Sequence, residues 1–183
     1  PVDITDAESL SAFFGTAAAL GPLGGIVANA GAVRAVGPLE TLSVADIRHD
    51  LDVNLLGAVL TARAAIPHFR SRGGSLVFVG SAAATLGSPN SYVHYAAAKA
   101  GVAALSLGLS KELAPHGIRV NCVEPGTTWT DFHLDPERPA RVAETVPLGR
   151  AGDAPEIAAA VSWFLSPEAS YATGATLRVA GGL

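Results

Sequence analysis

Four apolar runs, each closed by a small or turn-forming residue, recur between helix-forming stretches, and they constrain the fold more than any other feature. They are GGIVANAG (Gly24–Gly31), GGSLVFVGS (Gly73–Ser81), GIRVNCVEPG (Gly117–Gly126) and ATLRVAGG (Ala175–Gly182). Each is continuously apolar rather than alternating, the pattern of parallel strands covered on both faces. Between them lie stretches with helix signals. TDAE (Thr5–Glu8) reads as a capping box that opens a helix over Ala7–Leu20, stopped at Gly21. SVAD (Ser43–Asp46) opens a second, which runs to about Arg70 with Pro67 placed to kink it near its end. An Ala-rich helix spans about Tyr92 to Leu113, and DAPE (Asp153–Glu156) starts a helix that ends near Ser166. The segment from Gly126 to Pro147 reads as loop. Strands alternating with helices predict an α/β fold, a doubly wound parallel sheet of about four strands, with no repeat or linker to mark a second domain.

In such a sheet, ligands bind beyond the carboxyl ends of the strands. Those ends carry Asn29-Ala30-Gly31, Gly80-Ser81 and Pro125-Gly126-Thr127, so topology alone predicts a shared crevice. Fourteen residues after Ser81 stands Tyr95, with Lys99 four further on in the segment YAAAK. Residues four apart share a helix face. A free phenol titrates near ~10, and a cation held close favours the phenolate. A tyrosine so tuned serves as general acid or base, and Ser81 can polarise the same substrate oxygen. The plain alternative is an amphipathic helix with a surface lysine and a half-buried tyrosine. Tyr92 competes with Tyr95, but four residues after it stands Ala96, which carries no charge. Ser81 is preferred to Ser88 because it ends a strand.

Composition narrows the function classes. The chain has 183 residues, 49% hydrophobic, with a net charge of −4, which gives no reason to expect nucleic acid or an anionic membrane surface as partner. One cysteine, Cys122, excludes an internal disulfide and makes a reducing cytoplasm the default. No run approaches the length of a membrane span. The five histidines show no metal-binding spacing; His49, His68 and His116 read as helix-surface or helix-end residues.

The stretch SAAATLGSPNSYVHYAAAKAG resembles the active-site segment of the short-chain dehydrogenase/reductase family. VANAG is close to that family's Asn-Asn-Ala-Gly turn, DVNLLG (Asp52–Gly57) matches its helix-borne asparagine, and IRVNCVEPG and SYATGATLRVAGG match its last two strands, all in family order from about Val2 onward. Between Ser81 and Tyr95 there is one residue more than in the commonest members, absorbed by GSPNSYV. The resemblance implies a Rossmann-like fold and an NAD(P)-dependent oxidoreductase that moves hydride between nicotinamide and an alcohol or ketone. It implies a catalytic set of Asn54, Ser81, Tyr95 and Lys99. Tyr95 would exchange the proton with the substrate oxygen. Lys99 would hold the nicotinamide ribose and lower the tyrosine's pKa, Ser81 would orient the carbonyl, and Asn54 would hold a relay water or else simply distort its helix.

The same resemblance places Asn29, Ala30 and Gly31 beside the adenosine ribose, and Asp3 and Ile4 at the adenine, although Asp3 reads equally well as a helix-entry residue. Pro125, Gly126, Thr128 and Thr130 would touch the nicotinamide, or form an ordinary turn. His94, Trp129, Phe132 and His133 would line the substrate pocket, or pack the loop.

The family's glycine-rich phosphate loop, Gly-x-x-x-Gly-x-Gly, does not precede Asp3. These 183 residues therefore read as the C-terminal two-thirds of the family fold, without its opening β-α-β-α-β portion. The strand before Asn29 should then lack a neighbour on one side, an edge that invites pairing. The residues that choose NAD or NADP fall in the same portion, and dinucleotide binding by these residues alone should be weak. Two readings follow: the catalytic part of an oxidoreductase, or an inactive fragment acting at most as an assembly partner. Family members pair through the helices at 44–70 and 92–113, so a homodimer or homotetramer is expected.

Overall fold

The computed structural model describes all residues, Pro1–Leu183. Its framework is a parallel sheet of four strands: β1 (Gly25–Ala28), β2 (Gly74–Val79), β3 (Ile118–Pro125) and β6 (Thr176–Val179), side by side in that order. Ala28 is level with Phe78, Phe78 with Cys122, and Cys122 with Thr176. The register aligns the strand ends that the apolar runs had marked.

Side chains alternate across a strand, so β2 serves both faces. Leu76 and Phe78 point to one face, where α1 (Ala7–Ala19), α3 (Gly57–Phe69) and α5 (Val93–Leu113) pack through Leu10, Phe14, Phe69 and Val102. Val77 and Val123 point to the other, beneath Phe164 of α7 (Ala154–Leu165). Each fully buried Phe or Leu contributes roughly 2 kcal/mol of transfer free energy, so the larger cluster orders three helices against one face.

Helix ends follow local chemistry. Ser43 caps α2 (Val44–Leu51) by accepting from Asp46 N at 3.1 Å, and Glu156 accepts from Asp153 N at 2.8 Å at the start of α7. The first helix departs from its predicted cap. Asp6, not Thr5, accepts from Glu8 N and Ser9 N, because the Thr5 hydroxyl and amide are both taken by Asp3 Oδ1, at 2.7 and 2.8 Å. Gly117 joins α5 to β3 at φ +69°, a left-handed turn that suits glycine.

The helix expected over 44–70 is interrupted at Asn54 rather than at Pro67. Residues Asp52–Leu56 form a turn of π-helix between α2 and α3, and Gly57 N donates to Asp52 O. Pro67 lies inside α3, which continues to Phe69. Four short elements were not expected. α4 (Ala83–Leu86) follows Ser81, and α6 (Arg138–Ala143) lies in the Gly126–Pro147 segment. A parallel pair of β4 (Thr128–Trp129) and β5 (Gly152–Asp153) ties that segment to the start of α7.

β1 has β2 as its one neighbour, so it is an edge, and Val27 on it is 38% exposed. This strand is accordingly not covered on both faces as the apolar run suggested. β6, the opposite edge, is also largely exposed. No helix is long and apolar enough to cross a membrane.

Candidate active site

The carboxyl ends of β1, β2 and β3 open into a cleft of ≈ 750 Å³. Asn29, Ala30 and Gly31 form one wall, and Pro125, Gly126, Thr128 and Thr130 another. Ser81, Tyr95 and Lys99 lie between them. Phe132 and His133 lean over the mouth from the segment after β4.

Lys99 reaches this place because α5 packs lengthwise on the sheet with its Ala-rich face. Its ammonium is buried, donates to Val79 O at 2.9 Å, and lies 5.6 Å from the centre of the Tyr95 ring. It carries three donors and spends one on the strand end, which leaves N–H capacity facing the cleft. Burial pulls the Lys99 pKa from 10.5 down to about 8. The same enclosure acts on Tyr95 in the opposite sense. Desolvation raises the phenol to about 12, against the smaller lowering influences of the Ser81 hydroxyl and the Arg138 charge. The expectation that Lys99 brings this phenol below its ordinary value is therefore not met here. Both groups are pushed toward their neutral forms by loss of water, as burial requires. Ser81 Oγ accepts from Ala83 N at 3.1 Å, which fixes the hydroxyl where β2 turns into α4.

Asn54 lies just behind the cleft wall. Its Nδ2 donates to Ala32 O at 2.6 Å and to Asp50 O at 2.8 Å, and its Oδ1 accepts from Ala32 N at 3.2 Å. The π-turn gives the amide room to lie across its own helix and clamp the loop after β1. A Cβ on Gly31 would stand 2.9 Å from Asn54 Oδ1 and 3.4 Å from Lys99 Nζ. Glycine at position 31 is therefore what lets the strand end, Asn54 and Lys99 approach one another.

Besides Asn54, four candidates fall outside the cleft. His94 precedes Tyr95 by one residue, hence about 100° around the helix. It turns to α2, where Nε2 donates to Asp50 Oδ2 at 2.9 Å. Asp50 is wholly buried and also accepts from Arg34 N, at 2.9 and 3.1 Å, and from His49 Nδ1 at 3.2 Å. His49 is thus a partner of this carboxylate rather than a free surface residue. Trp129 faces outward from β4. Asp3 binds Thr5, whose hydrogen bonds hold its carboxyl below the usual range, so it acts as a helix-entry residue. Ile4 packs on the core beside Gly57. His133 donates from Nε2 to Thr128 O at 2.9 Å, which pins the loop over the cleft.

Sequence patterns missed two parts of the lining. Ile157, Val161 and Leu165 of α7 present an apolar wall, and Arg138 enters at the mouth. Helical periodicity marks the first as an apolar face without saying what it faces, and nothing local marks the second.

Over residues 1–183 the chain matches the family described as Enoyl-(Acyl carrier protein) reductase. It is 42% identical over 168 residues to the uncharacterised oxidoreductase YgfF of Escherichia coli, covering 88% of this chain and 68% of that one. It is 39% identical over 186 residues to cis-4-hydroxycyclohexanecarboxylate dehydrogenase of Sinomonas cyclohexanicum, covering 98% and 74%. The structure of levodione reductase superposes with a TM-score of 0.91 at 31% identity, over 99% of this chain and 74% of that one. Sheet, cleft and relatives together define an α/β oxidoreductase. The chain belongs to the short-chain dehydrogenase/reductase family.

Proposed function

We propose that these 183 residues form one Rossmann-like unit that carries the catalytic part of an NAD(P)-dependent oxidoreductase acting on an alcohol/ketone pair. The observation that carries this reading is the meeting of Ser81, Tyr95 and the buried Lys99 at the ends of parallel strands in a single cleft. A nicotinamide held there would supply or take the hydride. The chain's own residues do the rest. The protonated Tyr95 hydroxyl donates to the ketone oxygen in reduction, and its phenolate accepts the proton of the alcohol in oxidation. Ser81 fixes that oxygen, and Lys99 presents its spare N–H groups to a ribose diol. Asn54 keeps the loop after β1 in place and stands close enough to Lys99 to join a water-borne proton path.

The residues present suit the nicotinamide-ribose half of a dinucleotide. Gly31 leaves open the space a Cβ would fill, Lys99 has unspent donors, and Thr128 and Thr130 stand on the opposite wall. Whether NAD or NADP serves is decided by assaying both. The relatives' names support a small-molecule alcohol; one is a cyclic hydroxy acid dehydrogenase. A cytoplasmic setting belongs to the same reading, supported by the single buried thiol of Cys122. So does a homodimer or homotetramer through 44–70 and 92–113, supported by the exposed Leu56, Val59 and Leu107 on those helices.

The test is Tyr95→Phe in the full-length gene product, with dinucleotide reduction followed by absorbance. Loss of the proton-transfer group lowers turnover by roughly 10²–10⁴-fold. Undiminished turnover defeats the reading.

A further inference from the structure

The cleft has an unusual charge inventory. Of the side chains that line it, Lys99 and Arg138 are cationic and none is a carboxylate. Lys99 sits at the inner end, tied to Val79 O. Arg138, at the start of α6, also lines the cleft and is half-buried against Tyr92. Its guanidinium makes no hydrogen bond and no ion pair within the chain. Asp135, whose carboxyl feels the Arg138 charge, spends its hydrogen bonds on Arg141 and on Glu137 N. What holds Arg138 is an aromatic face: its Cζ lies 5.3 Å from the centre of the Tyr92 ring. Tyr92 in turn meets Tyr95 edge-on, with ring centres 5.4 Å apart.

A guanidinium stacked on an aromatic ring is oriented while its N–H edge stays free. Planar two-point pairing with a carboxylate is the interaction that edge is shaped for. An arginine in a cleft whose lining includes no acidic side chain, and hydrogen-bonded to no carboxylate of its own chain, keeps its N–H edge open to an anion. The anion's position relative to the chemistry is also fixed. Arg138 rests on the ring of Tyr92, not on that of Tyr95, so the charged group is set off from the reacting oxygen by an aromatic contact.

We propose that Arg138 anchors a substrate carboxylate, so that the cleft selects hydroxy or oxo acids whose carboxylate is several bonds removed from the reacting carbon. This rests on the oxidoreductase reading above and deepens it. A 2-oxo acid is too short to satisfy Tyr95 and Arg138 together. A phosphate of the dinucleotide is the competing anion. The contacts favour substrate, because Arg138 is held on Tyr92, whose ring meets that of the proton-transfer residue Tyr95.

The experiment compares 4-oxocyclohexanecarboxylate, its methyl ester and pyruvate on the full-length gene product, with either dinucleotide. The acid should exceed its ester in kcat/KM by about tenfold or more, and pyruvate should be the poorest. Arg138→Gln should bring the acid-to-ester ratio close to one, and Arg138→Lys should keep part of it, since charge remains but the two-point geometry is lost. A ratio near one in the native enzyme overturns the proposal. So does a ratio unchanged in Arg138→Gln, or a loss that falls on the KM of the dinucleotide instead. Turnover of the ester without preference for the acid sinks this proposal alone, whereas the oxidoreductase reading stands or falls on Tyr95→Phe; where none of the three is turned over, binding decides the anchor. Calorimetric titration of acid and ester reads the same ratio without turnover. A preference for the acid that Arg138→Gln abolishes supports the anchor there, and its absence refutes it.

Discussion

Replacing Lys99 by methionine should make the protein more stable and useless as a catalyst at once. The ammonium is 4% exposed and its pKa falls from 10.5 to about 8, with desolvation as the leading cause. A displacement of that size corresponds to about 3 kcal/mol against keeping the charged form folded at neutral pH. Methionine has nearly the same length and no charge to dehydrate. The substitution also removes the hydrogen bond to Val79 O, which costs back about 1–2 kcal/mol. The net gain near pH 7 is about 1–2 kcal/mol, or roughly 2–4 °C in Tm for each kcal/mol in a chain of this size.

The sign of the pH dependence is fixed by the same shift. Between pH 8 and 10.5 the unfolded chain still holds the lysine proton while the folded chain has released it, so the native protein gains stability as pH rises through this window. The advantage of Lys99→Met should therefore be full below pH 8 and gone by about 10.5. Urea denaturation of both proteins at pH 7 and pH 10 measures it. A variant that is less stable at pH 7, by an amount that does not change with pH, refutes the claim that the burial of this charge is costly. Turnover of the same variant should fall by about 10²-fold or more, since the charge beside Tyr95 is lost.

Two other substitutions probe the supports of the site. Gly31→Ala puts a methyl group 2.9 Å from Asn54 Oδ1 and 3.4 Å from Lys99 Nζ; it should cost about 1–3 kcal/mol in urea denaturation and depress turnover, because the groups it displaces are those the site needs. Asp50→Ala leaves the buried His94 Nε2 and the Arg34 amide without their acceptor. It should cost about 3 kcal/mol, and a cycle with His94→Ala should show coupling between the two, where additivity would mean that the contact is energetically idle.

The sequence was most legible where one local rule decides the outcome. Apolar runs closed by Gly or Pro-Gly located the four strands of the larger sheet, and the four-residue spacing of Tyr95 and Lys99 brought them to one helix face in the cleft. Legibility failed where two local rules compete or where none applies. Thr5 looks like a cap until Asp3 claims its hydroxyl, and then Asp6 does the work. Pro67 is the obvious place to break a long helix, but the break falls at Asn54, whose amide finds better partners in Ala32 and Asp50 than an unbroken helix would allow. α4, α6 and the β4–β5 pair are too short for any periodicity to register. His94 drew notice from its neighbour in the chain, yet one step along a helix is enough to send it to a different partner. Arg138 carries no motif at all; its place at the cleft follows from how a loop lies over α5.

The spacing of Tyr95 and Lys99 says that the two groups meet but not what the meeting does to their protons, and here the structure turns the first expectation around. A cation one turn away favours phenolate only if it costs little to keep both charges where they are. In this cleft each group is deep enough that dehydration sets the direction, so the phenol rises to about 12 while the ammonium falls to about 8. Near neutral pH the resting pair is therefore a protonated tyrosine beside a lysine that still holds its charge. That pair is ready to give a proton to a ketone. To take one from an alcohol it needs further positive charge nearby. Arg138 already acts on the phenol in that direction, but a carboxylate bound to it would cancel much of its pull. A substrate acid held by Arg138 would thus leave the phenol holding its proton, the form that reduction uses.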